Sequence, residues 1–297
     1  MENDYDKAAE GFEKIIKKGN IDEDILKNSK LAIETILKFK AYGGKLYEKA
    51  IWGNFYNQIE LPSLAIIQFN QALKINPYYR DAYLGLGKAY SLEKKYSESE
   101  KKYKKAYELD PVYGLTFYFL GKNYQDQKMP DKAIESYKMA IERGYNNESI
   151  RKNMAEAYMT KKDYQQALLE YQEALSFNKN DLDTYEKIVW LLGDKLNRAN
   201  DANKIAQEVD SIEPKTALSY NIMAEADLVN NQLNSARQNI NQAIVKDNNF
   251  ALNYYNLGLI NQKEGDSVEA KKNFIKAVNL ANKGNIYNQA YEKLKNL

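Results

Sequence analysis

The chain has 297 residues, 43 Lys+Arg against 41 Asp+Glu, and neither cysteine nor histidine. Those two absences exclude disulfides, thiolate nucleophiles, imidazole bases and the common zinc and iron–sulfur donor sets, so no metal and no cofactor is expected. A net charge of +2 argues against a nucleic-acid partner, and no apolar stretch approaches the ~20 residues of a membrane span. At the N-terminus, Tyr5, Ala8, Phe12 and Ile15 are spaced along one helical face, as in the second helix of a hairpin whose first helix lies upstream. The chain then reads as cut from a longer array. A long helical pattern from Asp22 to Lys40 ends at Tyr42, Gly43 and Gly44, glycines suited to a helix C-terminus. It does not share the 34-residue period of the rest of the chain, so residues 1–45 stand apart as a partial repeat plus an irregular long helix.

From residue 46 the chain repeats itself. Trp52, Gly53, Tyr56, Ala65, Phe69, Ala72 and Pro77 are followed 34 residues on by Leu86, Gly87, Tyr90, Ser99, Tyr103, Ala106 and Pro111. The third unit has Phe117, Leu120, Gly121, Tyr124, Ala133, Tyr137 and Ala140; the fourth has Met154, Ala155, Tyr158, Ala167, Tyr171 and Ala174. The fifth, with Tyr185, Ile188, Ala202 and Pro214, is one residue longer, and the insertion is expected in a turn near Arg198 to Asn200. Ala224, Ala236 and Ile240 mark the sixth unit, and Gly258, Ala270 and Phe274 the seventh. The units are 46–79, 80–113, 114–147, 148–181, 182–216, 217–250 and 251–284. Within each, large residues three or four apart form a helical stripe, a polar turn follows, and a second helix carries a small residue where two backbones approach. Asn76-Pro77 and Asp110-Pro111 end second helices, because proline cannot continue one. Tyr287, Ala290, Tyr291 and Leu294 mark a last amphipathic helix, 285–297, expected to cap the final unit.

These residues resemble the tetratricopeptide repeat pattern, Trp-x2-Leu-Gly-x2-Tyr followed by Ala-x3-Phe, Ala and Pro, over about four fifths of the chain. The resemblance implies an all-α fold, a right-handed α-solenoid superhelix of helix hairpins. Ser99 departs from the small alanine, and Asp227 and Asn261 from the tyrosine; four units lack the proline, and those hairpins are expected to be looser. Most of the 25 tyrosines fall at packing positions of the repeat.

In solenoids of this family the first helix of each hairpin lines a concave groove. Carried onto this chain, the groove positions include Tyr47, Asn54, Leu84, Lys88, Leu115, Tyr118, Phe119 and Lys122, then Lys152, Asn153, Trp190, Asn221, Ile222, Tyr255 and Asn256. Tyr118, Phe119 and Trp190 are aromatics of the kind that anchor partners. Asn54, Asn153, Asn221 and Asn256 could hold extended peptide backbone, since an amide both donates and accepts, but they form no continuous ladder. The clamp by which some members hold chaperone C-terminal carboxylates needs lysine, asparagine and arginine at five positions. The best match, Tyr118, Lys122, Asn153, Asp183 and Lys187, fails at three, which argues against heat-shock chaperone tails as partners.

No phosphate-binding loop, dinucleotide fingerprint or nucleophile elbow occurs. The sequence therefore reads as a non-enzymatic scaffold or adaptor that takes a helix or peptide of a protein partner. A recognition segment of a larger enzyme or assembly machine, and a self-associating structural protein forming homo-oligomers, are the alternatives. The acidic start at Glu2 and Asp4 is no secretory signal. The absence of cysteine suits a cytoplasmic site, or a periplasmic or other extracytoplasmic one after removal of a leader.

Overall fold

The computed structural model describes residues 2–17, 21–42, 44–212 and 214–297. Gly43 and the Tyr5 and Tyr42 side chains lie outside the described residues. Those described form seventeen α-helices and one π-helical turn, with no strand. The fold class is all-α, built of helix hairpins that stack in chain order as in a solenoid. The chain divides into two compact units, Met1–Asn146 and Asn147–Leu297.

In the first unit α1 (Glu2–Lys17) packs on α2 (Glu23–Tyr42), and α2 on α3 (Lys45–Gln58). Hairpins come next: α3 with α4 (Pro62–Ile75), α5 (Arg80–Leu92) with α6 (Tyr96–Leu109), and α7 (Gly114–Asp126) with α8 (Pro130–Glu142). The second unit pairs α9 (Glu148–Lys161) with α10 (Tyr164–Phe177), and α11 (Leu182–Trp190) with α12 (Ala199–Asp210). It continues with α13 (Ala217–Val229) and α14 (Leu233–Lys246), α15 (Ala251–Glu264) and α16 (Ser267–Ala281), and ends with α17 (Asn285–Lys295). Ala290 of α17 is buried against Tyr254, Phe274 and Ala277, with Leu294 packed beside it.

Small residues let the two helices of a hairpin close. Ala65, Ser99 and Ala133 in the first unit, and Ala167, Ala202, Ala236 and Ala270 in the second, are all 0% exposed. Four residues on, Phe69, Tyr103, Tyr137, Tyr171, Ile240 and Phe274 are buried. Each such side chain contributes about 1.5–3 kcal/mol by leaving water. The sequence departures are satisfied by hydrogen bonds. Ser99 Oγ donates to the Gly87 carbonyl at 2.8 Å. Asp227 accepts from Ser235 at 2.7 Å and Asn239 at 2.9 Å, and Asn261 accepts from Arg237 at 2.6 Å.

The hairpin turns carry a signal absent from the repeat motif. Glu60, Lys94 and Lys128 in the first unit all sit at φ between 56 and 58. In the second, Lys162, Asn197, Asn231 and Gly265 are likewise left-handed. The residue after each turn bonds back to the preceding helix, as Lys95 N–H to the Tyr90 carbonyl (2.9 Å) and Met129 N–H to that of Tyr124 (2.9 Å), which closes the helix end. The step from Lys162 to Asn197 is 35 residues, whereas Asn197 to Asn231 and Asn231 to Gly265 are 34. The extra residue of the fifth repeat therefore precedes Asn197. It is absorbed by the π turn Leu191–Lys195, where the Leu196 N–H reaches the Leu191 carbonyl at 3.0 Å. This corrects the expected insertion near Arg198: widening a helical turn adds one residue without breaking the hydrogen-bond ladder.

Two of the second helices that lack the terminal proline end as the others do. Asn178 and Asp247 take the extended backbone of Asn76, and each side chain accepts the N–H two residues on, at 3.2 and 2.9 Å. Asn76 makes the same bond ahead of Pro77, to the Tyr78 N–H at 2.9 Å, so the turn is shared by second helices with and without the proline.

Candidate functional site

In the first unit the face made by α3, α5 and α7 carries the groove positions. Tyr47 is 50% exposed and meets Tyr79 edge-on, with ring centroids 6.4 Å apart. Asn54 and Lys122 are exposed, and Lys88 and Leu115 are half-buried. Leu84 is buried beside Tyr103 and Ala106. Tyr118 is also buried, its ring 5.1 Å from Tyr145 and 6.2 Å from Tyr137. Phe119 is half-buried and stacked on Tyr103, 6.0 Å between centroids. Expected as groove contacts, Leu84 and Tyr118 are instead buried, Leu84 between α6 and α7 and Tyr118 against Tyr137 and Tyr145. Burial and the charge of Lys122 lower the Lys88 pKa below the ordinary lysine value.

In the second unit the corresponding face is made by α9, α11, α13 and α15. Lys152 is held by Glu148 at 3.2 Å and Asp181 at 2.7 Å, and Asn153 is half-buried with polar partners of its own. Burial opposes the Lys152 charge, but those two carboxylates outweigh it and raise its pKa. Ile222 is 0% exposed, and Asn221 and Asn256 are each 1% exposed. As groove contacts these three are corrected too. The two asparagines belong to an internal network: Asn256 donates to Asn221 (2.9 Å), and Asn221 donates to Asn253 (2.6 Å) and to the Ala217 carbonyl (2.8 Å). A buried amide needs such partners, and the neighbouring helix supplies them.

Trp190 and Tyr255 remain half-buried on that face. The Lys195 ammonium lies 4.8 Å from the Trp190 ring centroid. Around them gather carboxylates that no motif singled out. Glu225 is pushed up to about 8 by burial and by the charges of Glu186 and Asp194. Glu186 is raised by burial and Asp183, against the lowering effect of Lys187. The Tyr255 phenol is pushed up to about 12 by burial, Glu225 and Asp194. Beside them Glu156 accepts the Tyr171 hydroxyl at 2.7 Å and pairs with the Lys187 ammonium. Glu186, Asp194 and Glu225 occupy first-helix positions in the repeat register. That register was the available signal, but their proximity arises only when the helices stack.

Among the described residues, no group of three or more carboxylates is arranged to hold a metal, and no helix is long and apolar enough to cross a membrane.

Tetratricopeptide repeat models match residues 81–113, 119–181 and 251–283. No curated protein sequence matches the chain. Among solved structures, a tetratricopeptide repeat protein from Parabacteroides merdae superposes with a TM-score of 0.59 at 15% identity, covering 85% of this chain and 98% of that one. PilF from Pseudomonas aeruginosa gives 0.54 at 19% identity, over 67% of this chain and 90% of its own. A chain of the Cut9–Hcn1 hetero-tetramer of APC/C gives 0.53 at 16% identity, covering 90% of this chain but 51% of that one. At such identities the likeness is one of fold, and it agrees with the repeat models and with the packing of glycine, alanine and aromatic positions. The chain is a tetratricopeptide repeat protein.

Proposed function

We propose that the chain is a protein-interaction scaffold that receives a peptide or helix of a partner on the face made by the first helices of its hairpins. The fold itself is one used for protein–protein interaction, and repeat proteins of this kind are typically non-enzymatic. The observation that carries the finer reading is the solvent access left to large rings on that face: Tyr47 at 50% in the first unit, and Trp190 and Tyr255 half-buried in the second. Tyr47 also meets Tyr79 and Tyr255 packs beside Phe274, but each of the three rings keeps solvent-accessible area on a first helix, where a partner's apolar side chains can cover it. Phe119 is excluded from the test because it stacks on Tyr103.

A displayed library of random peptides, panned on the wild-type protein, should enrich binders. Their affinity should fall at least tenfold when Tyr47→Ala and Trp190→Ala are combined, with the melting temperature nearly unchanged. No enrichment, or equal binding by the double variant, would overturn the reading.

A further inference from the structure

We infer that Lys88 and Lys122 form a paired cationic subsite on the first unit, receiving two closely spaced carboxylates of an acidic polypeptide segment. The inference rests on the first-helix face being the docking face, and it adds the chemistry of the occupant.

The two lysines stand at the same position of successive repeats, on the packed helices α5 and α7. Their charges are close enough to oppose one another, and Lys88 is half-buried. Among the described residues neither has an ion pair or a hydrogen bond. That is unlike the cations on the outward helix α6, where Lys101 pairs with Glu98, Lys104 with Glu100 and Lys105 with Glu108, each at 2.7 Å. The acids carried by α5, its C-terminal cap and α7 are engaged elsewhere. Asp81 is bound by Arg80 at 2.7 Å, Glu93 by Lys95 at 2.7 Å, and Asp126 leans toward Ser91 at 3.4 Å. On α3 the same face offers Asn54 and Gln58, both exposed and neither charged.

Two like charges brought together and partly desolvated without a counter-ion raise the free energy of the unliganded fold. A ligand bringing two carboxylates supplies the missing counter-charge and removes the repulsion. Charge complementarity therefore selects an acidic segment over a basic or neutral one. The site differs from the chaperone-tail clamp, which needs an asparagine at the position that Lys122 holds in the best match and does not use the position of Lys88.

The test pans a random decapeptide library against wild type and against Lys88→Met with Lys122→Met, which keeps the apolar stems and removes both charges. Enrichment of paired Asp or Glu on wild type, with affinity at least tenfold weaker for the double variant and falling steeply with added salt, supports the subsite. Binders without acidic bias, or unchanged by the double variant, overturn it while leaving the docking face standing. A library supplemented with phosphopeptides that enriches those over Asp/Glu peptides also overturns it, in favour of a phosphate. An absence of any binder overturns both the subsite and the docking face.

Discussion

Asn256 donates its side-chain amide to the Asn221 carbonyl oxygen at 2.9 Å, between α15 and α13, with each residue 1% exposed. Asn221 passes the chain on to Asn253, whose own amide donates to the Asp247 carbonyl at 2.5 Å. Truncating the central member strands its partners in a dry interior. Asn221→Ala should cost about 1–3 kcal/mol. Urea unfolding of the full chain measures it, and an unchanged midpoint would remove the network from the account of stability.

Phe69 is 0% exposed and lies between two glycines of successive first helices, Gly53 and Gly85. A Cβ at position 53 would come 2.7 Å from the Phe69 Cζ, well inside van der Waals contact. Gly53→Ala is therefore expected to destabilise by about 1–3 kcal/mol through overpacking. Phe69→Leu made in the same chain should recover part of that loss, and a double-mutant cycle in urea reads the coupling.

Lys128 holds φ 57 in the turn between α7 and α8, where a Cβ is strained. Lys128→Gly should raise stability by about 0.5–1 kcal/mol. The reverse change, Gly265→Ala at φ 85, should lower it by a similar amount. Thermal melts of the two variants beside wild type provide the comparison.

Glu225 is pushed up to about 8 by burial and by Glu186 and Asp194, while an unfolded glutamate titrates near 4.3. Between those values the folded chain holds a proton that the unfolded chain has released. Stability therefore falls as pH rises through that window and levels off above it. Glu225→Gln keeps the shape without the charge. It should match wild type near pH 4 and exceed it by on the order of 2 kcal/mol at pH 9. Urea midpoints at pH 4, 7 and 9 test this. Parallel curves for the two proteins would show that Glu225 does not set the slope.

The hairpin period was legible in the amino-acid order. A helix face recurs every three or four residues, and seven copies of Ala65 or its counterpart, with a bulky residue such as Phe69 four places on in six of them, can be recognised without coordinates. Local chemistry also announced the ends of second helices at Asn76-Pro77 and Asp110-Pro111. Exposure was not legible, because it depends on which helix comes to rest against a position. Leu84, Tyr118, Asn221, Ile222 and Asn256 fall at groove positions as Tyr47 and Trp190 do, yet packing within each unit buries the first five and leaves the last two partly open. The left-handed residues at Lys94 and Lys128 escaped notice because lysine carries no turn signal comparable to glycine. The π turn at Leu191–Lys195 was equally hidden, since a one-residue excess in a repeat says that an insertion exists and not which turn of helix absorbs it. Nor could spacing announce the meeting of Glu225 with Glu186 and Asp194, or of Lys88 with Lys122. Those charges lie about one repeat apart in the chain, and only the stacking of first helices brings them within each other's field.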